Sequence, residues 1–174
     1  MKNYSIAIAT FYPGDIINKC LSSLPNNKEI LIIDNGDDKK LRDNLSKINN
    51  KNIYYHNIGD VGISKSLNYA ISKSSNNYVF ITQPDVIISS QSIDNLIKAS
   101  EKYKKAGIVS PLIFDEKNYS KYDHYDLKIS KRGKVLNSKK INSLKKPDGD
   151  ICVEAINSTA LLVKKDVIEK IGKW

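Results

Sequence analysis

Apolar runs of strand length alternate along this chain with polar stretches that carry an apolar residue every third or fourth position. The continuous runs at 4–10 and 29–34, the short one at 52–56, and those at 78–85 and 106–110 predict strands. Between them the stripes Ile16, Ile17, Cys20, Leu21, Leu24; Leu41, Leu45, Ile48; and Ile63, Leu67, Ala70, Ile71 predict helices over 15–24, 39–48 and 62–73. A fourth helix is expected over 92–105, capped by Ser90 or Ser92, and a fifth over 165–171, stopped by Gly172. Residues 152–163 read as strand-like. Strand and helix taking turns in this way imply an α/β fold, a mostly parallel sheet with helices on both faces.

The pattern fails only once. Residues 112–150 are rich in Lys, Asn, Asp and Tyr with weak periodicity, and read as an insertion with one hairpin near Arg132-Gly133. At 174 residues the chain forms one domain, without repeats, and can bury about 70% of its unfolded surface. Cys20 and Cys152 lie far apart and outside any C-x-x-C, so no zinc site or disulfide framework is signalled and a reduced, cytoplasmic setting fits. The N-terminal apolar run is too short for a signal peptide, and no stretch is long enough for a membrane span.

Net charge changes this picture by its location. Of the formal +9, nearly all falls within 117–147, where ten Lys or Arg face only Asp123 and Asp126. A focused basic segment attracts phosphates, nucleic acid or an anionic membrane surface, the nucleic-acid reading resting on charge alone; a solvated insert is the equal alternative. Tyr119, Tyr122 and Tyr125, interleaved with lysines, could stack sugars or bases, though an amphipathic surface element is the commoner reason for such a pattern.

Two strands end on acids. The 78–86 stretch stops abruptly at Gln83-Pro84-Asp85, and 29–34 ends on Asp34, followed by Asn35-Gly36. Open α/β sheets bind ligands outside the carboxyl ends of their strands, so both acids point to one shared cleft. The plain alternatives are a turn former after Pro84 and a helix cap near Lys39. His56 and His124 have no partner spacing for a metal or a triad, and no G-x-S-x-G or P-loop pattern occurs.

Taken in order, the motifs carry a resemblance. Ile8 to Pro13 after the first strand, Ile33-Asp34-Asn35-Gly36, Asn57 to Ser64 followed by Leu67-Asn68, Thr82-Gln83-Pro84-Asp85, Glu154 to Val163 and Ile171-Gly172 together resemble the glycosyltransferase family 2 enzymes of the GT-A fold, nearest the rhamnosyltransferase-like branch. The resemblance spans nearly all of the chain outside the basic insertion. It implies inverting transfer of a sugar from a UDP- or dTDP-sugar to a saccharide or lipid-linked acceptor in bacterial surface polysaccharide synthesis. The enzyme would be cytoplasmic, peripheral at the inner face of the membrane through 117–147, and would bind no nucleic acid.

Residue by residue, the resemblance implies that Thr10, Asp34 and Asn35 line the nucleotide pocket, with Asp34 accepting the ring N3–H that uracil and thymine share. Asn57, Gly62 and Asn68 belong to the loop that folds over the nucleotide, where Gly62 opens a helix N-terminus suited to an anion; a plain turn before a capped helix is the alternative. Asp85 would hold Mg²⁺ or Mn²⁺ against the diphosphate, with Gln83 beside it in place of a further acid. Ser158 would sit beside the sugar, in a segment that reads equally well as a packed strand, and Thr159 narrows the space there. The resemblance also implies that the usual domain continues past Trp174 into an acidic segment bearing the catalytic base, so that this chain is a shortened form. The alternative reading is a non-catalytic module, or inactive fragment, that binds nucleotide-sugars or anions.

Overall fold

In a computed structural model of the chain, the described residues are 2–115, 118–122, 128–129, 135–136, 149–153 and 155–174. Most of the basic segment and Glu154 lie outside them. Four parallel strands form the heart of a six-stranded sheet: β1 (Tyr4–Thr10), β2 (Glu29–Asp34), β3 (Ile53–Asn57) and β4 (Tyr78–Thr82). Helices α1 (Ile16–Ser23), α2 (Lys39–Lys47) and α3 (Ile63–Lys73) connect them, and α4 (Ser90–Lys102) leads to the short β5 (Ile108–Val109). Within 112–150 the described residues form two antiparallel pairs, where one hairpin is expected from sequence. These are β6 (Phe114–Asp115) with β7 (Asn118–Tyr122), and β8 (Lys128–Ile129) with β9 (Val135–Leu136); the turn expected near Arg132-Gly133 lies outside the described residues. Last come β10 (Ala160–Lys164) and α5 (Lys165–Ile171).

The sheet order is β3-β2-β1-β4-β10-β5. β10 alone opposes its neighbours, antiparallel to both β4 and β5, so the expected mostly parallel sheet is found. From β1 the chain winds outward to β2 and β3, then returns to lay β4 on the other side. The carboxyl ends of β1 and β4 therefore flank the point at which the winding reverses, where the loops diverge and open a crevice.

Both faces are covered, which is why the central strands read as unbroken apolar runs. On one face Tyr4, Ile6, Ile8 and Phe80 pack against Ile17 and Cys20 of α1, Leu41 and Leu45 of α2, and Ile93, Leu96 and Ile97 of α4. On the other, Ala7, Ala9, Leu31 and Ile33 meet Leu67, Ala70 and Ile71 of α3 and Ile168 of α5. Fully burying one of these isoleucines stabilises the fold by about 1.5–3 kcal/mol. Among the described residues no helix is long and apolar enough to cross a membrane.

Two boundaries differ from expectation for local reasons. α4 begins earlier because Ser89, not Ser90 or Ser92, is the cap: its extended backbone lets Oγ accept the Ser92 N–H at 3.2 Å. The strand expected over 152–163 is regular only from Ala160, since Asn157 Oδ1 accepts both the N–H (3.3 Å) and the hydroxyl (3.0 Å) of Thr159. That side-chain turn offers the backbone an alternative to the ladder.

Candidate functional site

Register aligns the suspected residues. Thr10 of β1 lies opposite Asp34 of β2, which in turn lies opposite Asn57 of β3, so one row crosses the carboxyl end of three strands. Asp34 is completely buried, and its carboxylate is crowded with donors. Oδ1 accepts from Gly36 N at 2.9 Å and, weakly, from the Thr10 hydroxyl at 3.4 Å; Oδ2 accepts from Asp38 N at 2.7 Å and the Tyr55 hydroxyl at 2.6 Å. Burial alone would raise the Asp34 pKa, but the bonds from Tyr55, Gly36, Asp38 and Thr10 outweigh it and hold the acid below its ordinary value. Burial and the same contact push the Tyr55 hydroxyl up to about 12, so it remains a donor at neutral pH. Asp34 knots the β2–α2 turn, and the cap of α2 is Asp38, which accepts Leu41 N at 3.0 Å.

Asn35, also buried, ties three elements together. Its Nδ2 donates to Thr10 O at 3.2 Å, its backbone N–H donates to the same oxygen at 2.9 Å, and its Oδ1 accepts the buried Ser66 hydroxyl of α3 at 2.7 Å. Next in the chain, Gly36 has no room for a side chain: an added Cβ would lie 2.8 Å from the Tyr12 ring. Tyr12 (φ 46°) and Asp37 (φ 51°) are the non-glycine residues with left-handed backbone among the described ones. Both stand beside Gly36, and strained backbone of this kind costs of order 1–3 kcal/mol and gathers at functional sites.

Asp37 and Asn57 form the outer part of this rim. Asn57 Nδ2 donates to Asp37 Oδ1 at 3.2 Å, while Asn57 Oδ1 is held by the N–H of Gly59 at 3.2 Å. Arg42 Nη2 lies 3.9 Å from the same Asp37 oxygen. Phe11 and Tyr12, each 60% exposed, pack edge to face at the end of β1.

Across the crevice, Asp85 is exposed and makes no hydrogen bond or ion pair among the described residues. Gln83 is half-buried; its N–H donates to Thr159 O at 3.2 Å and its carbonyl faces Cys20 Sγ at 3.6 Å. The buried Cys20 thiol is pushed up to about 12 by burial and by the charge of Asp85, so it is no nucleophile. Exposed Ser158 stands in the turn leading into β10, on the same edge. Among the described residues no three His, Cys, Asp or Glu side chains come together as a ready-made metal cage.

Gly62 (φ 79°, ψ 163°) caps α3 at this edge, and Asn68 lies nearly two turns further along the helix. Both ends of its carboxamide are engaged by Trp174: Nδ2 donates to Trp174 O at 2.9 Å and Oδ1 accepts Trp174 N at 3.2 Å. Thr10, Asp34, Asn35 and Asn57 are thus brought together, Gln83, Asp85 and Ser158 gather opposite, and Asn68 is engaged by Trp174. Sequence reasoning missed Tyr55, Ser66 and Asp37. The register of β3 on β2, which sets Tyr55 opposite Ile32, is what discloses the first.

A family model described as glycosyl transferase family 2 matches residues 5–171. No curated protein matches in sequence. Among solved structures, the mannosyltransferase PcManGT from Pyrobaculum calidifontis in complex with GDP-Man and Mn²⁺ superposes with a TM-score of 0.67 at 13% identity, covering 99% of this chain and 47% of that one. S. aureus TarS 1-349 in complex with UDP-GlcNAc gives 0.63 at 14% identity, covering 97% of this chain and 47% of that one. The chain spans about half the length of these proteins, and at such identities the likeness establishes the shared GT-A fold.

Proposed function

The chain belongs to glycosyl transferase family 2, and on that premise we propose that it takes part in transferring a sugar from a nucleoside-diphosphate donor to a saccharide or lipid-linked acceptor. The observation that carries this reading is Asp85, an exposed carboxylate at the end of β4, on the reversal point of the sheet. A bare carboxylate repels a diphosphate, so Asp85 makes sense there as a ligand to a divalent cation. The donor set fits a cation shared with the substrate: one unpaired carboxylate from the protein, the rest from phosphate oxygens and water, the manner in which Mg²⁺ is commonly held. When bound, Mg²⁺ or Mn²⁺ neutralises charge growing on the leaving diphosphate.

The chain's own residues supply the rest of the arrangement. The buried knot of Asp34 and the Asn35 bridge fix the β2–α2 turn that would form the nucleoside side of the crevice, with Thr10 at its floor. Gln83 offers an uncharged amide toward ribose or water, and Ser158 a hydroxyl toward the sugar. Inversion requires a base in line with the anomeric carbon. The rhamnosyltransferase-like character belongs to the same proposal. A role in bacterial surface polysaccharide synthesis, at the inner face of the membrane, belongs to the same reading. One observation favours a second reading, a module that binds donor without turnover: Gln83 contributes no charge where a further acid would strengthen metal binding.

Calorimetry with UDP- and dTDP-sugars, with and without Mn²⁺, tests the main proposal. Metal-dependent binding that Asp85→Ala abolishes is expected; equally strong binding without metal would overturn the role given to Asp85.

A further inference from the structure

Resting on that reading, we propose that Thr159 is a positioning residue: it fixes the turn bearing Asp85 and the turn bearing Ser158 at one separation, and its hydroxyl, locked by Asn157, sets how far binding depends on the sugar of the donor. The bonding at the entry to β10 converges on this one residue. Its carbonyl faces the Asp85 side, while its N–H and hydroxyl face Asn157 and the Ser158 side.

On the Asp85 side, the Thr159 carbonyl accepts the Gln83 N–H at 3.2 Å and, weakly, the Thr82 hydroxyl at 3.4 Å. Ala160 lies opposite Thr82 in the β4–β10 register, so the bond to Gln83 carries the ladder one step beyond the strands. Gln83 then opens the turn that presents the acid: its carbonyl accepts the Val86 N–H at 3.3 Å, enclosing Pro84 and Asp85. Cys20 Sγ, a weak donor at 3.6 Å, is the other contact of that carbonyl. Asp85 itself makes no hydrogen bond among the described residues, so its place is set through Gln83, and Gln83 hangs on Thr159.

On the other side, exposed Ser158 sits inside a turn that Asn157 closes twice, its Oδ1 accepting the Thr159 N–H at 3.3 Å and the Thr159 hydroxyl at 3.0 Å. The first bond is the ordinary side-chain turn of asparagine, which any residue but proline at 159 would complete. The second needs a hydroxyl. It pins the Thr159 side chain to Asn157 and so restrains the intervening Ser158. The two halves are chemically separable, because the carbonyl that anchors Gln83 belongs to the backbone and survives substitution, whereas the hydroxyl does not. With a cation holding the diphosphate at Asp85, the sugar is the part of the donor that feels where Ser158 stands.

Calorimetry of the whole chain in Mn²⁺ tests the idea by comparing UDP with UDP-glucose and UDP-N-acetylglucosamine, and dTDP with dTDP-glucose, on wild type, Thr159→Val, Thr159→Ser and Asn157→Ala. Thr159 is not among the residues with left-handed backbone and valine matches its shape, so Thr159→Val keeps the fold, which thermal melting checks. In wild type at least one nucleotide-sugar should differ in affinity from its parent diphosphate. In Thr159→Val that ratio should move toward unity by about fivefold, as for one neutral hydrogen bond, while the parent diphosphate stays within about twofold. Thr159→Ser, which keeps the hydroxyl, should restore the ratio. Asn157→Ala should shift it in the same direction and add little to Thr159→Val in the double variant. A ratio unchanged in Thr159→Val overturns the assignment, as does an equal loss for diphosphate and nucleotide-sugar, the mark of a merely structural fault. Wild-type affinity that never differs between sugar and parent diphosphate does the same while leaving donor binding intact. No binding of any nucleotide overturns both this inference and the donor-binding reading beneath it.

Discussion

At the scale of single residues, two neighbours at the end of β2 show how burial dictates chemical identity. Asn35 must be neutral at its Nδ2 position, because that atom donates to a carbonyl oxygen. Asn35→Asp would set an anion against Thr10 O in a buried place, and we expect a loss of about 1–3 kcal/mol, read as a lower urea midpoint with an unchanged slope. Asp34 must instead be charged. Its pKa is held below the unfolded value of about 3.9, so the stability it contributes is present above that pH and is lost as the pH falls through the folded value. Acid titration of unfolding should show a decline below about pH 4 that Asp34→Asn makes shallower; an identical decline in the variant would count against the knot. Nothing near Asp34 in sequence announces this role, since Tyr55 arrives from another strand, and a strand-end acid looks alike whether saturated or free.

At the scale of elements, most of the architecture was legible because the central strands are buried on both faces and the helices carry one apolar stripe each. What escaped were features set by single hydrogen bonds. Ser89, Ser90 and Ser92 are equivalent cap candidates until the backbone of the first is seen to be extended. Asn157 shortens β10 in a way that its apolar run conceals. We expect Ser89→Ala to destabilise by about 1 kcal/mol, measured by thermal melting. Gly62 is a sharper case: open space surrounds its missing side chain, yet φ 79° and ψ 163° form a region almost reserved for glycine. Gly62→Ala should therefore cost of order 1–3 kcal/mol by strain alone, a result that contacts would not foretell.

At the scale of the whole molecule, charge is segregated from fold. The two packed cores are apolar, whereas nearly all of the net +9 is concentrated in residues 117–147. Cosedimentation with vesicles containing anionic lipid should be strong at low salt and fall steeply as salt rises, each lysine or arginine near the surface adding about 1 kcal/mol. Neutral vesicles should bind little, and equal binding to both would remove the membrane role. The reversal of β10 has a further result for the molecule. Its five companions in the sheet are each laid down from the blunt end toward the mouth, but β10 is threaded from the mouth inward, with Ala160 opposite Thr82. Changes in the length of the stretch feeding it can thus be absorbed at the mouth without shifting the floor. Such a stretch can be exchanged as one changes a lock plate, leaving the bolt behind it undisturbed.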